Sequence, residues 1–313
     1  MIEMKKPLLA ALALLAPVSA HAENIVLSND DGLTSNVKAL YEELKAQGHD
    51  VIVSVPCSGQ SGMGAAIRFM RPLGPLAADC LNGAAKAGDP GAGPMTREGF
   101  AKDWYYVDGT PVMALLYGVD VVAQVRWGKA PDLVLSGPNE GQNVGSIVIS
   151  SGTVSVAQYG AIRRIPAIAF SAGINTVDNK GLANPASRTV AKLSADFIGK
   201  LEKASSGKPI LPAGIALNVN FPDRLDGAAW KRAKIGNYSA YAVRFTDNLG
   251  KSGLPGVTLD MNAAKPSKAQ QGDESAIVAK DISVSVMQVG YDAQPEAQKR
   301  VGKALRGIVS VSR

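Results

Sequence analysis

Ile25-Val26-Leu27-Ser28-Asn29-Asp30-Asp31-Gly32 is a short apolar run that stops at an acidic turn. A continuous apolar segment of this length reads as a strand buried on both faces, the kind found in parallel sheets covered by helices. Just beyond it, Ser35 can cap a helix in which Val37, Leu40, Tyr41 and Leu44 fall at helical spacing, and Gly48 ends that helix. Residues 50–55 follow as a second strand. The same alternation recurs along the chain. Thr110-Pro111 opens a helix running to about 122, and residues 132–136 form a strand. A helix starts near Thr153, another strand covers 165–171, and a long helix from Pro185 to about 201 leads to a strand at 215–220. Such alternation predicts a three-layer α/β fold: a doubly wound, mostly parallel sheet with helices on both faces.

Two regions break the pattern. Residues 73–102 are rich in Gly, Ala and Pro and read as an excursion with little regular structure. Residues 226–313 read as an irregular C-terminal extension of hairpin and helical pieces, an arm suited to oligomerisation. Within it Ile282, Val284 and Val286 alternate with Ser283 and Ser285 as in a half-exposed strand, and 265–273 reads as a mobile loop. At the other end, Lys5 and Lys6 precede an apolar run over 8–16, and Ala20-His21-Ala22 offers a small-x-small cleavage site. Residues 1–22 therefore read as a secretory signal peptide, because the run is too short for a bilayer core of about 30 Å. The mature protein is expected to be periplasmic or secreted, without a membrane span. The catalytic core is expected over 23–225.

The 313 residues include only two histidines, His21 and His49, and two cysteines, Cys57 and Cys80. Loss of the leader leaves His49 as the single imidazole. That excludes a histidine-ligated zinc site, and His49, ahead of a strand at the end away from the polar loops, reads as a solvated turn residue. In an oxidising compartment the two cysteines are expected to pair as a disulfide. The net charge of +6 comes without any Lys/Arg run of the kind that tracks nucleic acid, so DNA is not an expected partner.

Ligands of open parallel sheets bind beyond the carboxyl ends of the strands. The loops there hold Asn29-Asp30-Asp31-Gly32, Gly59-Gln60-Ser61-Gly62, and Gly137 to Gly145 with Asn139 and Glu140; Ser150-Ser151-Gly152-Thr153 opens the next helix. Adjacent carboxylates are unfavourable unless a positive charge sits beside them. A divalent cation with hydroxyl and amide oxygens completing an all-oxygen shell meets that need. The free N–H groups and dipole of the helix after Ser151 would attract an anion. Glu140 reads as an outer or exposed carboxylate.

In order and approximate spacing, Ile25-Val-Leu-Ser-Asn-Asp-Asp-Gly32, Gln60-Ser-Gly62, Val107-Asp-Gly-Thr-Pro111, Asp132-Leu-Val-Leu-Ser-Gly-Pro-Asn-Glu-Gly-Gln-Asn-Val-Gly145, Ser151-Gly-Thr-Val154 and Leu217-Asn-Val-Asn-Phe-Pro222 resemble the SurE family of survival-protein nucleotidases. The resemblance runs from about 24 to 223. It implies a Rossmann-like core and a C-terminal arm exchanged between subunits of a homodimer or homotetramer. It also implies a metal-dependent phosphatase acting on nucleoside monophosphates at the 5′ or 3′ position. One divalent ion per subunit, Mg²⁺ or Mn²⁺ with Ca²⁺ as a crystallographic stand-in, would be held by Asp30, Asp31, Ser61 and Asn139. Asp30 and Asp31 would be catalytic, and phosphate would contact Asn139, Ser151, Gly152 and Thr153. Two departures are Ser150, where an aromatic residue is usual, and Cys57, where an Asp is usual. The alternative reading is a non-catalytic periplasmic anion- or nucleotide-binding protein of the same fold.

Overall fold

A computed structural model describes residues 22–100, 102–262, 264–293 and 295–306; the proposed signal peptide lies outside them but for its last residue. The strands are β1 (Asn24–Ser28), β2 (Asp50–Pro56), β3 (Ala92–Pro94), β4 (Trp104–Val107), β5 (Leu133–Glu140), β6 (Ala167–Ala172), β7 (Ile215–Asn220), β8 (Trp230–Ala233), β9 (Tyr241–Thr246), β10 (Gly256–Met261) and β11 (Ile282–Gln288). The helices are α1 (Ser35–Ala46), α2 (Pro111–Tyr117), α3 (Ala123–Trp127), α4 (Gly152–Ile162), α5 (Pro185–Ser205), α6 (Glu274–Ile277) and α7 (Pro295–Ala304). A π-helical turn over Gly118–Val122 joins α2 to α3, so the helix opened by Thr110-Pro111 reaches Trp127. None of these helices is long and apolar enough to cross a membrane.

Nine strands form one sheet in the order β3-β4-β2-β1-β5-β6-β7-β11-β8. Its six central strands are mutually parallel. Alternate side chains of β1 serve opposite faces. Ile25 and Leu27 join α1 and α5 in one core with Leu40, Leu44, Val190 and Ile198, and Val26 joins α2 and α4 in the other with Leu115, Val154 and Ala157. Each such side chain, fully buried, contributes roughly 1.5–3 kcal/mol. From β1 the chain moves outward through β2 to β4, then returns to place β5 on the other side of β1. The carboxyl ends of β1 and β5 therefore flank the topological switch point, where open sheets of this type bind ligands.

Several local expectations are corrected. The cap of α1 is Thr34, whose side chain accepts from Val37 N, rather than Ser35. The fifth strand runs to Glu140, four residues beyond its predicted end. The C-terminal segment contributes two strands to the main sheet: β11 runs antiparallel to β7, and β8 parallel to β11. On β11 the alternation is only partly as expected: Ile282 is buried, but Ser283 and Ser285 are buried too and Val286 is exposed, with Ser285 donating to the buried Glu274. The 265–273 stretch holds a 3₁₀ turn with a Ser267–Gln270 capping box, and Asp273 is buried beneath the backbone N–H groups of Asn237 and Tyr238. His49 does sit at the amino ends of the strands, yet it is 3% exposed. Its Nδ1 accepts the Glu23 N–H at 3.2 Å, Glu202 lies 3.8 Å from Nε2, and burial lowers its pKa.

Cys57 and Cys80 form a disulfide that ties the end of β2 to the 73–102 excursion. That excursion also gains β3, paired antiparallel to β4.

Candidate active site

The turn after β1 is shaped by Asn29, whose amide donates to Gly32 O at 2.7 Å and accepts Gly32 N–H at 3.0 Å. The ring it closes needs Gly32 at φ +92°, a conformation that side-chain-bearing residues rarely adopt. Asp30 and Asp31 are thereby presented side by side, 3% and 9% exposed.

The two carboxylates have different partners. Asp30 Oδ1 accepts the Thr153 hydroxyl at 2.6 Å, and backbone N–H groups of Gly152 and Thr153 also favour its charge. Burial nevertheless raises its pKa. Asp31 Oδ2 accepts the Glu140 N–H at 3.0 Å. Its pKa is pushed well up by burial first, then by the charge of Asp30, with Glu140 adding to it. No lysine or arginine figures among the groups acting on either carboxyl.

Around this pair the predicted residues converge from distant parts of the chain. Gln60 N–H donates to Asp30 O at 2.7 Å, which sets the exposed Ser61 beside the acidic turn. Asn139 commits its amide nitrogen to Gly141 O at 2.7 Å, so a cation would meet Oδ1. Ser151 caps α4 by accepting Val154 N–H at 3.1 Å, which leaves its hydroxyl proton for an anion. Thr153 differs from the expectation: its hydroxyl is spent on Asp30, its N–H also favours that carboxylate, and it is fully buried. Gly152 is needed for close approach. A Cβ there would lie 2.6 Å from Asp30 Cβ and from Pro111 Cγ.

The donor set fits a hard divalent ion. Two buried carboxylates repel one another, no cationic side chain among the described residues acts on either, and Ser and Asn oxygens lie in the neighbouring loops. Among the described residues no three His, Cys, Asp or Glu side chains cluster as a metal site, in keeping with a shell that draws half its ligands from neutral oxygens. Glu140 is half-buried rather than outside; its carboxylate accepts from Asn179 Nδ2 at 2.6 Å, and burial raises its pKa. A cavity of about 1200 Å³ at the opposite end of the sheet is lined by His49, Asp132 and Glu202 and holds none of these groups.

Sequence reasoning missed the supports. Asn29 lay in the quoted motif, and its spacing to Gly32 is the signal that could have found its role. Asn143, Asn218 and Asn220 likewise lay in quoted motifs without an assigned role, and nothing local points to Glu274, which joins them in a buried polar network that holds the β5–α4 loop.

Fold and pocket together define a class: an open parallel α/β protein that gathers two acidic side chains and a helix N-terminus at the switch point of its sheet. The family model "Survival protein SurE" matches residues 25–243, and the chain belongs to that family. It is 36% identical to an acid phosphatase of Yarrowia lipolytica over 242 residues, 69% of this chain and 66% of that protein. It is 30% identical to a 5′-nucleotidase SurE of Thermosipho melanesiensis over 268 residues, 85% and 91% of the two chains. The crystal structure of the SurE protein from Aquifex aeolicus superposes with a TM-score of 0.65 at 29% identity, covering 90% of this chain and 99% of that one.

Proposed function

We propose that this chain is a divalent-metal-dependent phosphomonoester hydrolase, a 5′/3′-nucleotidase that releases phosphate from nucleoside monophosphates. The observation that carries the reading is the buried Asp30–Asp31 pair, without a cationic side chain, set against the N-terminus of α4. Relatives named acid phosphatase and 5′-nucleotidase support it. A divalent ion held by Asp30, Asp31, Ser61 and Asn139 would neutralise charge on the phosphoryl oxygens. The Ser151 hydroxyl and the positive end of the α4 dipole attract the remaining oxygens and orient the ester for in-line attack. Thr153 fixes the Asp30 carboxylate, and the aspartate pair accepts the proton of the attacking water.

The test is hydrolysis of nucleoside 5′- and 3′-monophosphates and of a generic aryl phosphate after EDTA treatment, with Mg²⁺ or Mn²⁺ added back. Activity should vanish and return with metal. Undiminished turnover in EDTA overturns the mechanism, and metal or nucleotide binding without turnover favours the binding-protein reading.

Export and assembly belong to the same proposal. Cleavage after Ala22 removes 22 of the 313 residues and leaves 291. The β9–β10 hairpin pairs Val243 with Leu259 and Phe245 with Val257, and with Met261 these give an exposed apolar face suited to a second copy of the chain. Native mass spectrometry of the exported protein should give a mature chain lacking two hydrogens and assembled as a dimer or tetramer. A monomer, or a chain retaining its leader, contradicts this part.

A further inference from the structure

The segment that joins Asn139 to Ser151 connects the two halves of the proposed site, the cation ligands and the anion-binding helix. It contains little regular structure beyond a 3₁₀ turn at Gly145–Ile149, so its shape is set by what holds it from outside. Most of those contacts come from the C-terminal part of the chain. Glu274, the first residue of α6, is fully buried. Its Oε1 accepts the Gly145 N–H at 3.0 Å, and its Oε2 accepts Asn218 Nδ2 at 3.0 Å and Ser285 Oγ at 2.8 Å. Asn218 Nδ2 also reaches Asn143 O at 2.9 Å. Asn143 in turn takes Asn220 Oδ1 on its N–H at 2.7 Å and donates its amide to Ser171 Oγ at 2.9 Å. Tyr241 OH donates to Gln142 O at 2.9 Å.

We propose that Glu274 is a positioning residue for the hydrolysis inferred above: its carboxylate clamps the β5–α4 loop to β7 and β11 and so keeps Asn139 in register with Ser151. The proposal rests on the hydrolase reading for its catalytic half and on the hydrogen bonds alone for its structural half.

The chemistry of the clamp is asymmetric. Two of its three partners, the Gly145 amide and the Asn218 NH₂, can only donate, so they require an acceptor and favour the ionised acid. Burial works against ionisation, raising Glu274 to about 7 despite the bonds from Ser285, Gly145 and Asn218. The charged and titratable groups facing it are Asp273, which precedes it at the start of α6, and Tyr241 on β9. Lys234 lies 3.4 Å from Asp273 and moderates that neighbour's charge. Once protonated, Glu274 carries a proton that only Ser285 among its three partners can accept, and its hold on Gly145 loses the assistance of charge.

Two readouts on the full mature chain test this. The first is backbone hydrogen exchange over residues 141–150 at pH 8, which does not depend on turnover. Glu274→Gln sets an NH₂ where a donor now points, and exchange there should quicken about tenfold. Glu274→Asp should restore part of the protection. The second is kcat and KM against pH with Mn²⁺. Wild type should lose kcat below about pH 7, whereas Glu274→Gln should be about tenfold slower at pH 8 and flat across that range, with KM changed less than about threefold. If the glutamine variant does not fold, Ser285→Ala keeps the question open: it removes a bond to the ionised form and should move the acid limb to higher pH. Wild-type exchange in Glu274→Gln, or an unchanged acid limb in either variant, overturns the proposal. A wild-type chain without turnover on any phosphomonoester overturns the hydrolase reading and the catalytic half with it, while the exchange measurement still decides the clamp.

Discussion

Asp31→Asn should lower kcat/KM on a nucleoside monophosphate by about 10³-fold, the scale expected when a charge that binds the cation and serves the reacting water is removed. The same variant should be more stable than wild type when no metal is present. Asparagine keeps an oxygen to accept the Glu140 N–H, so the geometry of the turn survives. What it removes is one of two adjacent buried negative charges, an arrangement whose relief is worth about 1–3 kcal/mol. The pH dependence follows from the direction of the shift. Burial and Asp30 raise the folded-state pKa of Asp31 above its unfolded value. Its contribution to stability is therefore complete below the ordinary carboxylate range and is lost as pH rises through the raised value. In EDTA the wild-type Tm should fall as pH rises above the ordinary carboxylate range, and the fall should be smaller for Asp31→Asn. Saturating Mg²⁺ or Mn²⁺ should restore the wild-type Tm and barely move the variant. Scanning calorimetry of both proteins with and without metal checks all four cases. A variant that is less stable in EDTA at pH 8 would show that the pair is not under electrostatic strain.

Gly152→Ala is the second large effect. Alanine is ordinarily the better helix residue, and the interior Gly199 of α5, whose added Cβ would meet nothing within 4 Å, should gain about 0.4–1 kcal/mol on substitution. At Gly152 the sign reverses. The new methyl would sit 2.6 Å from Asp30 Cβ and Pro111 Cγ and 2.9 Å from Asp30 Oδ2, so α4 must back away from β1 and α2. Overpacking of this kind costs about 1–3 kcal/mol. The retreat also stretches the 2.6 Å bond from Thr153 to Asp30 and carries the helix N-terminus off the phosphoryl group, for which a loss of about 10²-fold in kcat is expected. Urea unfolding and steady-state kinetics of the Gly152→Ala and Gly199→Ala chains measure the contrast. Equal behaviour of the two would mean that the helix is free to move without consequence.

The central fold was legible because burial on two faces leaves an unmistakable run of apolar residues, as in β1, and because capping residues such as Thr110 with Pro111 mark helix starts. The acidic turn and the Ser-Gly-Thr start were legible because adjacent carboxylates and a hydroxyl-rich helix opening both ask for a ligand. The edge of the sheet was not. Ser285 points inward because the Glu274 carboxylate accepts its hydroxyl, and a serine in a strand carries no local mark of such a partner. His49 was misread as solvated for the same reason: its cover comes from Glu23 and Glu202, far from it in sequence. Asp273 reads as part of a mobile loop because an acidic residue beside glycine and glutamine is usually solvated, and only the tertiary fold supplies its donors; Glu274 draws no reading for the same reason. The Thr153 hydroxyl was assigned to the ligand because nothing in the motif says that Asp30 reaches it first.

The bonds that define the site join residues far apart in the chain: Thr153 to Asp30 across 123 positions, and Glu140 to Asp31 across 109. Contacts of such long range form late, since each requires the intervening crossovers to be in place. While the polypeptide is being made, Asp30 and Asp31 are two solvated acids with little to repel. Their mutual strain arises when β5 and α4 close over β1. Metal encountered at that moment would favour the closing step itself, so ion supply in the surrounding compartment would govern how fast the chain matures as well as whether it works.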